Sequence, residues 1–150
     1  MMLLSRRSVL AIAAVVDVAI HARPMPVAAK LLAARHNLPP RHLETVLQTL
    51  VRAGILKGVR GPRGGYELAR ERRRITAGQI VRAVMAGGDD EALPLAPESK
   101  LVDSVIDPAV KDAGEAFLAG LDAVTVEDLC RRAEEAHVFG EPPVAVDFTI

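Results

Sequence analysis

The chain has 150 residues; half are apolar and 3% aromatic, with one cysteine and no tryptophan. This length suits one domain, or one small domain with an extension, and a core built from Ala, Val, Leu and Ile favours helices. A single cysteine excludes an internal disulfide and a metal site made of cysteines alone.

The net charge is zero, but the charges are unevenly distributed. Residues 1–75 hold 14 Lys and Arg against 4 Asp and Glu, whereas residues 76–150 hold 5 against 15. This asymmetry indicates an N-terminal part that meets an anion and a C-terminal part that does not. The alternative is that the two halves neutralise each other across an intramolecular interface.

The first predicted element is a mostly apolar helix over residues 5–21. Arg6 and Arg7, followed by the apolar run 9–20, also resemble a twin-arginine export signal, although the run is too short to span a bilayer. Asp17 interrupts this run, and no small-residue cleavage site follows it before Pro24. We therefore favour a buried amphipathic helix with its polar edge at Asp17, and we expect no membrane partner.

Two shorter helices joined by a tight turn come next. The first, over residues 27–36, carries an apolar stripe of Val27, Leu31, Leu32 and Ala34. After a turn at residues 37–39, Pro40 suits the start of the second helix and Gly54 its end. The apolar residues of this second helix follow the i, i+3, i+4, i+7, i+8 pattern of one helical face, and they are Leu43, Val46, Leu47, Leu50 and Val51.

The opposite face of that helix carries side chains able to read base edges or grip phosphates: Arg41, His42, Glu44, Thr45, Gln48 and Arg52. A buried helix, two short helices and a hairpin form a winged helix-turn-helix, in which this would be the recognition helix. Taken alone, the face could be an ordinary solvated one. The basic hairpin immediately downstream favours DNA recognition.

That hairpin is the most informative stretch of the chain. Residues 59–66 read Val-Arg-Gly-Pro-Arg-Gly-Gly-Tyr between two short apolar runs, and the glycines and proline force a tight, exposed turn. Arg60 and Arg63 lie at its tip, where guanidinium groups can enter the minor groove of DNA. An ordinary hairpin with solvated arginines is the alternative, and the helix before it favours a DNA-binding wing.

The remaining elements are predicted to be helical. The basic run 70–74 either contacts phosphate or is a solvated loop. Thr76 caps a helix that stops at Gly87, and residues 89–99 are acidic with two prolines. Residues 101–106 form a short apolar turn or helix, Asp107 and Pro108 begin a longer helix to residue 122, and Thr125 caps a last helix. The tail after residue 140 adds an edge strand or docks in an extended form.

The predicted fold is therefore mainly α with a small β-hairpin wing. It comprises a winged helix-turn-helix domain at 1–88, a linker at 89–99, and dimerisation helices with a C-terminal tail at 100–150. The longer helix bears a stripe wider than one short partner could cover: Val105, Val110, Ala113, Phe117, Leu118 and Leu121. A second copy of the chain would cover it, as in winged-helix proteins that match a palindrome. Packing back onto the winged domain is the alternative.

Over most of its length the chain resembles the Rrf2 family of bacterial transcriptional regulators. Residues 59–66 are close to the family's wing signature, which is its most specific motif. Segments 5–19, 41–44 and 50–56 are similar to its first helix, the start of its recognition helix, and the connection to the wing. Segments 75–84 and 124–129 resemble the helix after the wing and the closing Thr-Leu-x-Asp-Leu segment.

The resemblance implies a cytoplasmic, homodimeric DNA-binding repressor or activator, with double-stranded DNA and a second copy of itself as partners. Glu44 would accept from a cytosine amino group, and Arg60 would enter the minor groove. The residues expected to contact DNA are Ser5, Arg6 and Arg7 in the first helix, Arg41, His42, Glu44, Thr45 and Gln48 in the recognition helix, and Arg60, Gly61, Pro62 and Arg63 in the wing.

The chain departs from the family in its sensing region. Several members bind an iron–sulfur cluster through three cysteines between the fourth helix and the dimer helix, whereas residues 87–108 here contain none. Cys130 lies on the apolar side of the last helix and is expected to be a small buried hydrophobe. We expect no cofactor and no metal, and an effector, if there is one, that is a small molecule or a protein. Val9 and Leu10 stand where the family often has an Arg-Tyr pair, so the resemblance implies one DNA-backbone contact fewer here.

Two other function classes are alternatives to DNA binding. A winged-helix interaction module that has lost DNA binding would have no reason to retain the basic half. An enzyme is not expected, because the sequence offers no nucleophile–base constellation, no glycine-rich phosphate loop and no metal-ligand cluster.

Overall fold

The computed structural model describes residues 4–87 and 99–140. The predicted linker, apart from Ser99, and the predicted C-terminal tail lie outside the described residues. The described chain forms six α-helices and one two-stranded antiparallel hairpin, which confirms the mainly α winged fold. Among these helices, none is both long enough and apolar enough to cross a membrane.

Helix α1 (Arg6–His21) is the central helix of the core. The Ser5 hydroxyl caps it by accepting a hydrogen bond from the Ser8 N–H at 3.2 Å. Ala11, Val15 and Val18 are fully buried, and α1 packs against the third, fourth and sixth helices and the wing. The apolar run that resembles an export signal is therefore a core helix of this domain.

Helices α2 (Ala29–Arg35) and α3 (Pro40–Arg52) form the helix-turn-helix. Asn37 in the turn between them has φ 53°, a left-handed conformation that Asn tolerates better than most residues. The predicted apolar face of α3 is largely confirmed, since its buried residues are Leu43, Val46, Leu47 and Leu50.

The stripe predicted on the preceding helix is wrong at two positions. Leu31 is 55% exposed and Ala34 is exposed, whereas Leu32 and Ala33 are buried. The helix begins two residues later than predicted, because Val27 pairs with the wing instead. Within this helix, only Leu32 and Ala33 are therefore buried in the core.

The wing consists of β1 (Leu56–Val59) and β2 (Gly65–Leu68), with Val59 opposite Gly65. Tyr66 exchanges two backbone hydrogen bonds with Val27, of 2.9 and 2.8 Å, which ties β2 to the segment before α2. A Cβ at position 65 would collide with the Val27 carbonyl, so glycine is required where the two backbones meet.

Helix α4 (Ala77–Ala86) follows a short 3-10 turn at Arg72–Arg74. Thr76 caps it as predicted: its hydroxyl accepts from the Gln79 N–H, and the Gln79 side chain accepts from the Thr76 N–H. Ile80, Val81 and Val84 point into the core, which places the helix against α1 and α3.

Helix α5 (Asp107–Asp122) continues from a π-helical segment at Val102–Ile106. The prediction that Asp107 caps this helix is wrong, because Asp107 has helical φ and ψ and donates its N–H to the Val102 carbonyl. Pro108 lacks an N–H and crowds the carbonyl four residues before it, and the wider π turn gives its ring room. The segment at 101–106 and α5 therefore form one continuous helix.

Helix α6 (Val126–Glu135) returns to the core of the winged unit. Thr125 caps it as predicted, in a reciprocal pair with Asp128. Val126 is fully buried and Cys130 is 2% exposed, both within the same apolar cluster as α1 and α3. The last helix therefore stabilises the DNA-binding unit directly.

Candidate nucleic-acid interface

The polar face of α3 is exposed along its whole length. We call Arg41, His42, Glu44, Thr45, Gln48 and Arg52 the recognition surface, and all six are exposed in the structure. Buried Leu43 and Leu47 fix the orientation of the helix on the core, so the recognition surface faces outward by the same periodicity. The Thr45 hydroxyl donates to the Arg41 carbonyl at 3.3 Å, which leaves its methyl group as a contact for other molecules.

The N-terminus of α1 lies beside the start of α3. Arg6 and Arg7 line a groove of about 520 Å³ together with His42 and Thr45 of the recognition surface. We call it the α1–α3 groove, and its lining residues are Arg6, Arg7, Leu10, Leu38, Pro39, His42, Leu43, Thr45 and Val46. Arg7 also lines a second depression with Thr45, Thr49 and Arg52. The basic N-terminus of α1 thus extends the recognition surface.

Ser5 is placed at the same end, but its hydroxyl already makes local bonds. It accepts from the Ser8 N–H and donates to the Ser8 hydroxyl at 3.0 Å. The backbone N–H groups at the start of α1, rather than the Ser5 hydroxyl, are the donors that an anion would meet there.

The wing presents its arginines on a tight exposed loop. Gly61 has φ 115°, a conformation that residues with side chains rarely adopt, and the Gly64 N–H donates to its carbonyl at 2.9 Å. Arg60, Pro62 and Arg63 are all exposed on this loop. Arg60 lines a depression with Val51 of α3 and with Ala29 of α2, so the wing flanks the C-terminal half of the recognition helix.

The basic run after the wing is largely engaged in ion pairs within the protein. Arg72 pairs with Glu127 of α6 at 2.6 Å, and Arg73 pairs with Glu71 at 2.7 Å. The hydrogen bond from Arg73 lowers the pKa of the Glu71 carboxyl below its ordinary value. The internal ion pair of Arg72 is neither of the two interpretations of the run, phosphate contact or a solvated loop, and it joins the basic half of the chain to the acidic half.

A buried ion cluster links α1 and α2, and the sequence reasoning missed it. Asp17 is fully buried rather than at a polar edge, so that expectation is wrong. Its carboxylate accepts two hydrogen bonds from Arg35, of 2.8 and 2.6 Å, and further bonds from the rings of His36 at 2.7 Å and His21 at 2.9 Å. An Asp inside an apolar helix was the available signal, but nothing in the sequence identified its partners.

The cluster fixes the charge of Asp17. Burial alone would raise the pKa of the Asp17 carboxyl, but the hydrogen bonds from Arg35 and His36 outweigh it, so the pKa lies below its ordinary value. The ionised carboxylate can only accept hydrogen bonds. The ring nitrogens that face it, His21 Nδ1 and His36 Nε2, must therefore carry the hydrogen and donate it. Asp17 thereby holds the first helix of the helix-turn-helix against α1.

Cys130 lies where the sequence predicted it. The side chain is 2% exposed in the core, and burial raises the pKa of its thiol. A protonated, buried thiol is a poor nucleophile and a poor metal ligand. Within the described residues, no group of three or more His, Cys, Asp or Glu side chains is arranged to hold a metal ion.

The candidate dimer surface divides into two parts. Val105 is 58% exposed, Val110 is 64% exposed, and Ala113 is exposed as well. Phe117, Leu118 and Leu121 are partly buried, near the end of α5 that packs on α4. The C-terminal part of the stripe thus follows the alternative of packing on the chain's own winged unit, while the N-terminal part remains an exposed apolar surface.

The fold and this surface define a winged helix-turn-helix DNA-binding protein. A family model described as Rrf2, iron-dependent transcriptional regulator, matches residues 4–132. The chain therefore belongs to the Rrf2 family, whose members are DNA-binding transcriptional regulators and not enzymes.

Individual relatives have similar lengths and the same architecture. The chain is 35% identical over 121 residues to the HTH-type transcriptional regulator CymR of Bacillus subtilis, covering 76% of this chain and 81% of CymR. It is similar to the structure of IscR from T. potens, with a TM-score of 0.65, 33% identity and 90% of each chain covered. The structure of CymR, the global cysteine regulator of B. subtilis, gives a TM-score of 0.64 at 27% identity, covering 88% of this chain and 98% of CymR.

Proposed function

We propose that the protein is a cytoplasmic repressor that binds a palindromic, A·T-rich operator as a homodimer. The observation that carries this proposal is the continuity of the basic groups at the N-terminus of α1, the recognition surface and the wing along one helix, α3. A dimer bound across a promoter would exclude the polymerase from it, so repression requires no activity beyond DNA binding.

Each part of this surface has its own role in the proposal. Arg41, His42 and Glu44 read base edges in the major groove, with Thr45 and Gln48 behind them. Arg60 enters the adjacent minor groove, and Gly61, Pro62 and Arg63 shape the loop that carries it. Arg6 and Arg7, with the backbone donors that follow Ser5, hold phosphates.

The dimer is formed through the exposed part of α5. Val105, Val110 and Ala113 pair with the same residues of a second copy, while Phe117, Leu118 and Leu121, which are partly buried near α4 of their own chain, border this interface. A two-fold arrangement of α5 helices would set the spacing of the two recognition helices, and hence of the two half-sites. An effector that changes this spacing would change the affinity for the operator.

We also propose that the protein works without an iron–sulfur cluster. The chain has one cysteine, and its thiol is buried and protonated. Protein purified after anaerobic expression is expected to be colourless, and a visible absorbance band from iron and sulfide would contradict this part of the proposal.

Selection of bound DNA from a random pool tests the proposal as a whole. Enrichment of an inverted repeat would support a dimer that reads sequence, and the distance between its halves would report the spacing of the α3 helices. Glu44→Ala should accept more base pairs at one position of each half-site, with little change in overall affinity, because it removes a base contact. If no sequence is enriched, the winged-helix interaction module is the better description.

A further inference from the structure

His36 links the turn of the helix-turn-helix to the middle of α1. It follows the last residue of α2, where its backbone N–H donates to the Leu32 carbonyl at 3.1 Å. Its ring donates from Nε2 to Oδ2 of Asp17 at 2.7 Å, and Asp17 is fully buried in α1. The side chain is 22% exposed and held at both ends, so it has a fixed place between the turn and α1.

The start of α3 depends on this turn for its position. Its N-cap and first residue, Pro39 and Pro40, have no N–H groups, and no side chain in the described part of the chain caps the helix. Within the turn, Asn37 is left-handed and the Leu38 N–H donates to a carbonyl of α2 at 2.9 Å. The connection is short and bonded back to α2, so a shift of His36 would be passed on to the start of α3.

The start of α3 carries three exposed side chains that are proposed to read bases, Arg41, His42 and Glu44. The buried apolar face fixes the rotation of α3 about its own axis. The placement of its N-terminal end must also be exact, because functional side chains have to be held within about 0.5 Å of their productive position. Contacts to phosphates tolerate more displacement, since they depend on charge and carry no sequence information.

We propose that His36 is a positioning residue for base recognition, and that its bond to Asp17 holds the start of α3 in place. This inference rests on the proposed function and adds to it a residue that acts through α3 and not on DNA. Arg35, which also donates to Asp17, belongs to α2 itself. Without the ring of His36, α2 would stay attached through Arg35 while the turn and the start of α3 would lose their anchor.

The test compares His36→Ala with His36→Gln. The Gln side-chain nitrogen can take the place of the ring Nε2 and restore the bond to Asp17, whereas Ala cannot. The measured quantity is the ratio of the affinities for the selected operator and for an unrelated duplex of the same length. His36→Ala should lower this ratio at least about tenfold, the value of one good base contact, and His36→Gln should restore it to within about threefold.

The positions of the relaxed base pairs and the salt dependence separate positioning from direct contact. Selection with His36→Ala should relax the same base pairs as Glu44→Ala, and the affinity for the unrelated duplex should stay within about twofold of the wild type. A His36 that touched phosphate would weaken both duplexes alike and lower the salt slope by about one. That result would overturn the proposal, and so would an unchanged ratio in His36→Ala.

Val81→Ala is the control for general loosening of the fold. Val81 is fully buried in α4, away from the turn, and its truncation destabilises the core by leaving a cavity. The ratio should be unchanged in this variant under conditions where urea unfolding shows both variants to be folded. An equal loss of the ratio in Val81→Ala and His36→Ala would contradict a specific role for His36.

Amide hydrogen exchange tests the positioning without DNA. The Leu38 N–H should exchange faster in His36→Ala than in the wild type, relative to amides in the middle of α1, and His36→Gln should restore its protection. Equal exchange in the wild type and His36→Ala would overturn the proposal. If the wild type selects no operator, the proposed function fails, and the exchange comparison still decides whether His36 anchors the turn.

Discussion

At the scale of single residues, Arg35 and Arg60 have different environments, since one is bound within the fold and the other is exposed. Arg35 is held by the buried carboxylate of Asp17 and organises the helix-turn-helix. Arg60 is exposed on the wing loop, where the fold positions its backbone and leaves its side chain accessible. The sequence identified Arg60 from its place in the glycine-rich turn, whereas the role of Arg35 became visible only through its hydrogen bonds to buried Asp17.

Replacing Arg60 with alanine should therefore weaken operator binding while leaving the fold intact. The loss should be about 1–3 kcal/mol of binding free energy, because a guanidinium group in a narrow minor groove is removed. Fluorescence anisotropy with the selected duplex measures this change at fixed salt. Lys100→Ala, an exposed cation far along the chain from the wing, is the control. An unchanged affinity in Arg60→Ala would remove the wing from the mechanism.

Asp17→Asn should be destabilising at neutral pH. It replaces a buried carboxylate with a neutral amide and leaves Arg35, whose side chain is 29% exposed, without a charged partner, so the loss should be about 1–3 kcal/mol, as for hydrogen bonds to a charged group. The pKa of Asp17 is lowered from 3.8, so its contribution is present above pH 3.8 and is lost as the pH falls through the lower pKa of the folded state. The stability difference between wild type and variant should accordingly shrink in acid.

Urea unfolding from neutral pH down to about pH 3 measures that difference. Asp112→Asn, on an exposed position of α5, provides the matched control and should change stability by less than about 0.5 kcal/mol. A gap between wild type and Asp17→Asn that stays constant through the acid range would show that the charge of Asp17 is not what stabilises the cluster.

At the scale of elements, the sequence predicted the helix caps and helix faces that depend on residues close together in the chain. The caps at Thr76 and Thr125 follow from hydroxyl and carboxamide or carboxylate groups three residues apart, and the face of α3 follows from its period. The cap predicted at Asp107 failed because the preceding residues are already helical, and a π turn relieves the clash that Pro108 would otherwise cause. Such a continuation depends on backbone bonds that composition does not reveal.

Contacts between elements that are distant in the chain could not be predicted from the sequence either, because they too depend on backbone bonds that composition does not reveal. Nothing in the pattern of α2 showed that Val27 would pair with Tyr66 and shorten the helix. The recognition surface was predictable residue by residue because exposure follows from the helical period. The α1–α3 groove was not predictable, because it arises only where two helices that start 34 residues apart in the chain begin side by side.

The junction of α4 and α5 depends on a glycine in the first turn of α4. A Cβ at position 78 would overlap Asp122, whose carboxylate pairs with Arg82 and whose backbone N lies 2.9 Å from the added atom. Gly78→Ala should therefore destabilise the protein by about 1–3 kcal/mol through overpacking. Gly120→Ala within α5 meets open space and should instead stabilise it by roughly 0.5–1 kcal/mol. Thermal unfolding of both variants measures the contrast, and equal effects would refute a close contact at position 78.

At the scale of the whole molecule, the charge asymmetry and the apolar surface of α5 support the same assembly. The basic groups collect on α1, α3 and the wing. The continuous helix formed by the π-helical segment and α5 carries an exposed apolar stripe and five acidic residues, which are Asp103, Asp107, Asp112, Glu115 and Asp122. A dimer through α5 would keep the acidic half away from DNA and turn two recognition surfaces toward one duplex. The neutral overall charge of the chain conceals this division.

The oligomeric state can be tested at one valine with a matched control. Val110 is 64% exposed on α5 and Val138 is 63% exposed after α6, so the two differ in location and not in burial. Val110→Asp would bring like charges together at the two-fold interface and should weaken the dimer at least about a hundredfold, or roughly 3 kcal/mol. Sedimentation equilibrium should find monomers for Val110→Asp and dimers for Val138→Asp at micromolar concentration.

The monomeric variant should also lose the dependence of affinity on half-site spacing, because each winged unit would then bind its half-site alone. If both variants remain dimers, the exposed part of α5 is not the interface, and the operator spacing must be set by another surface.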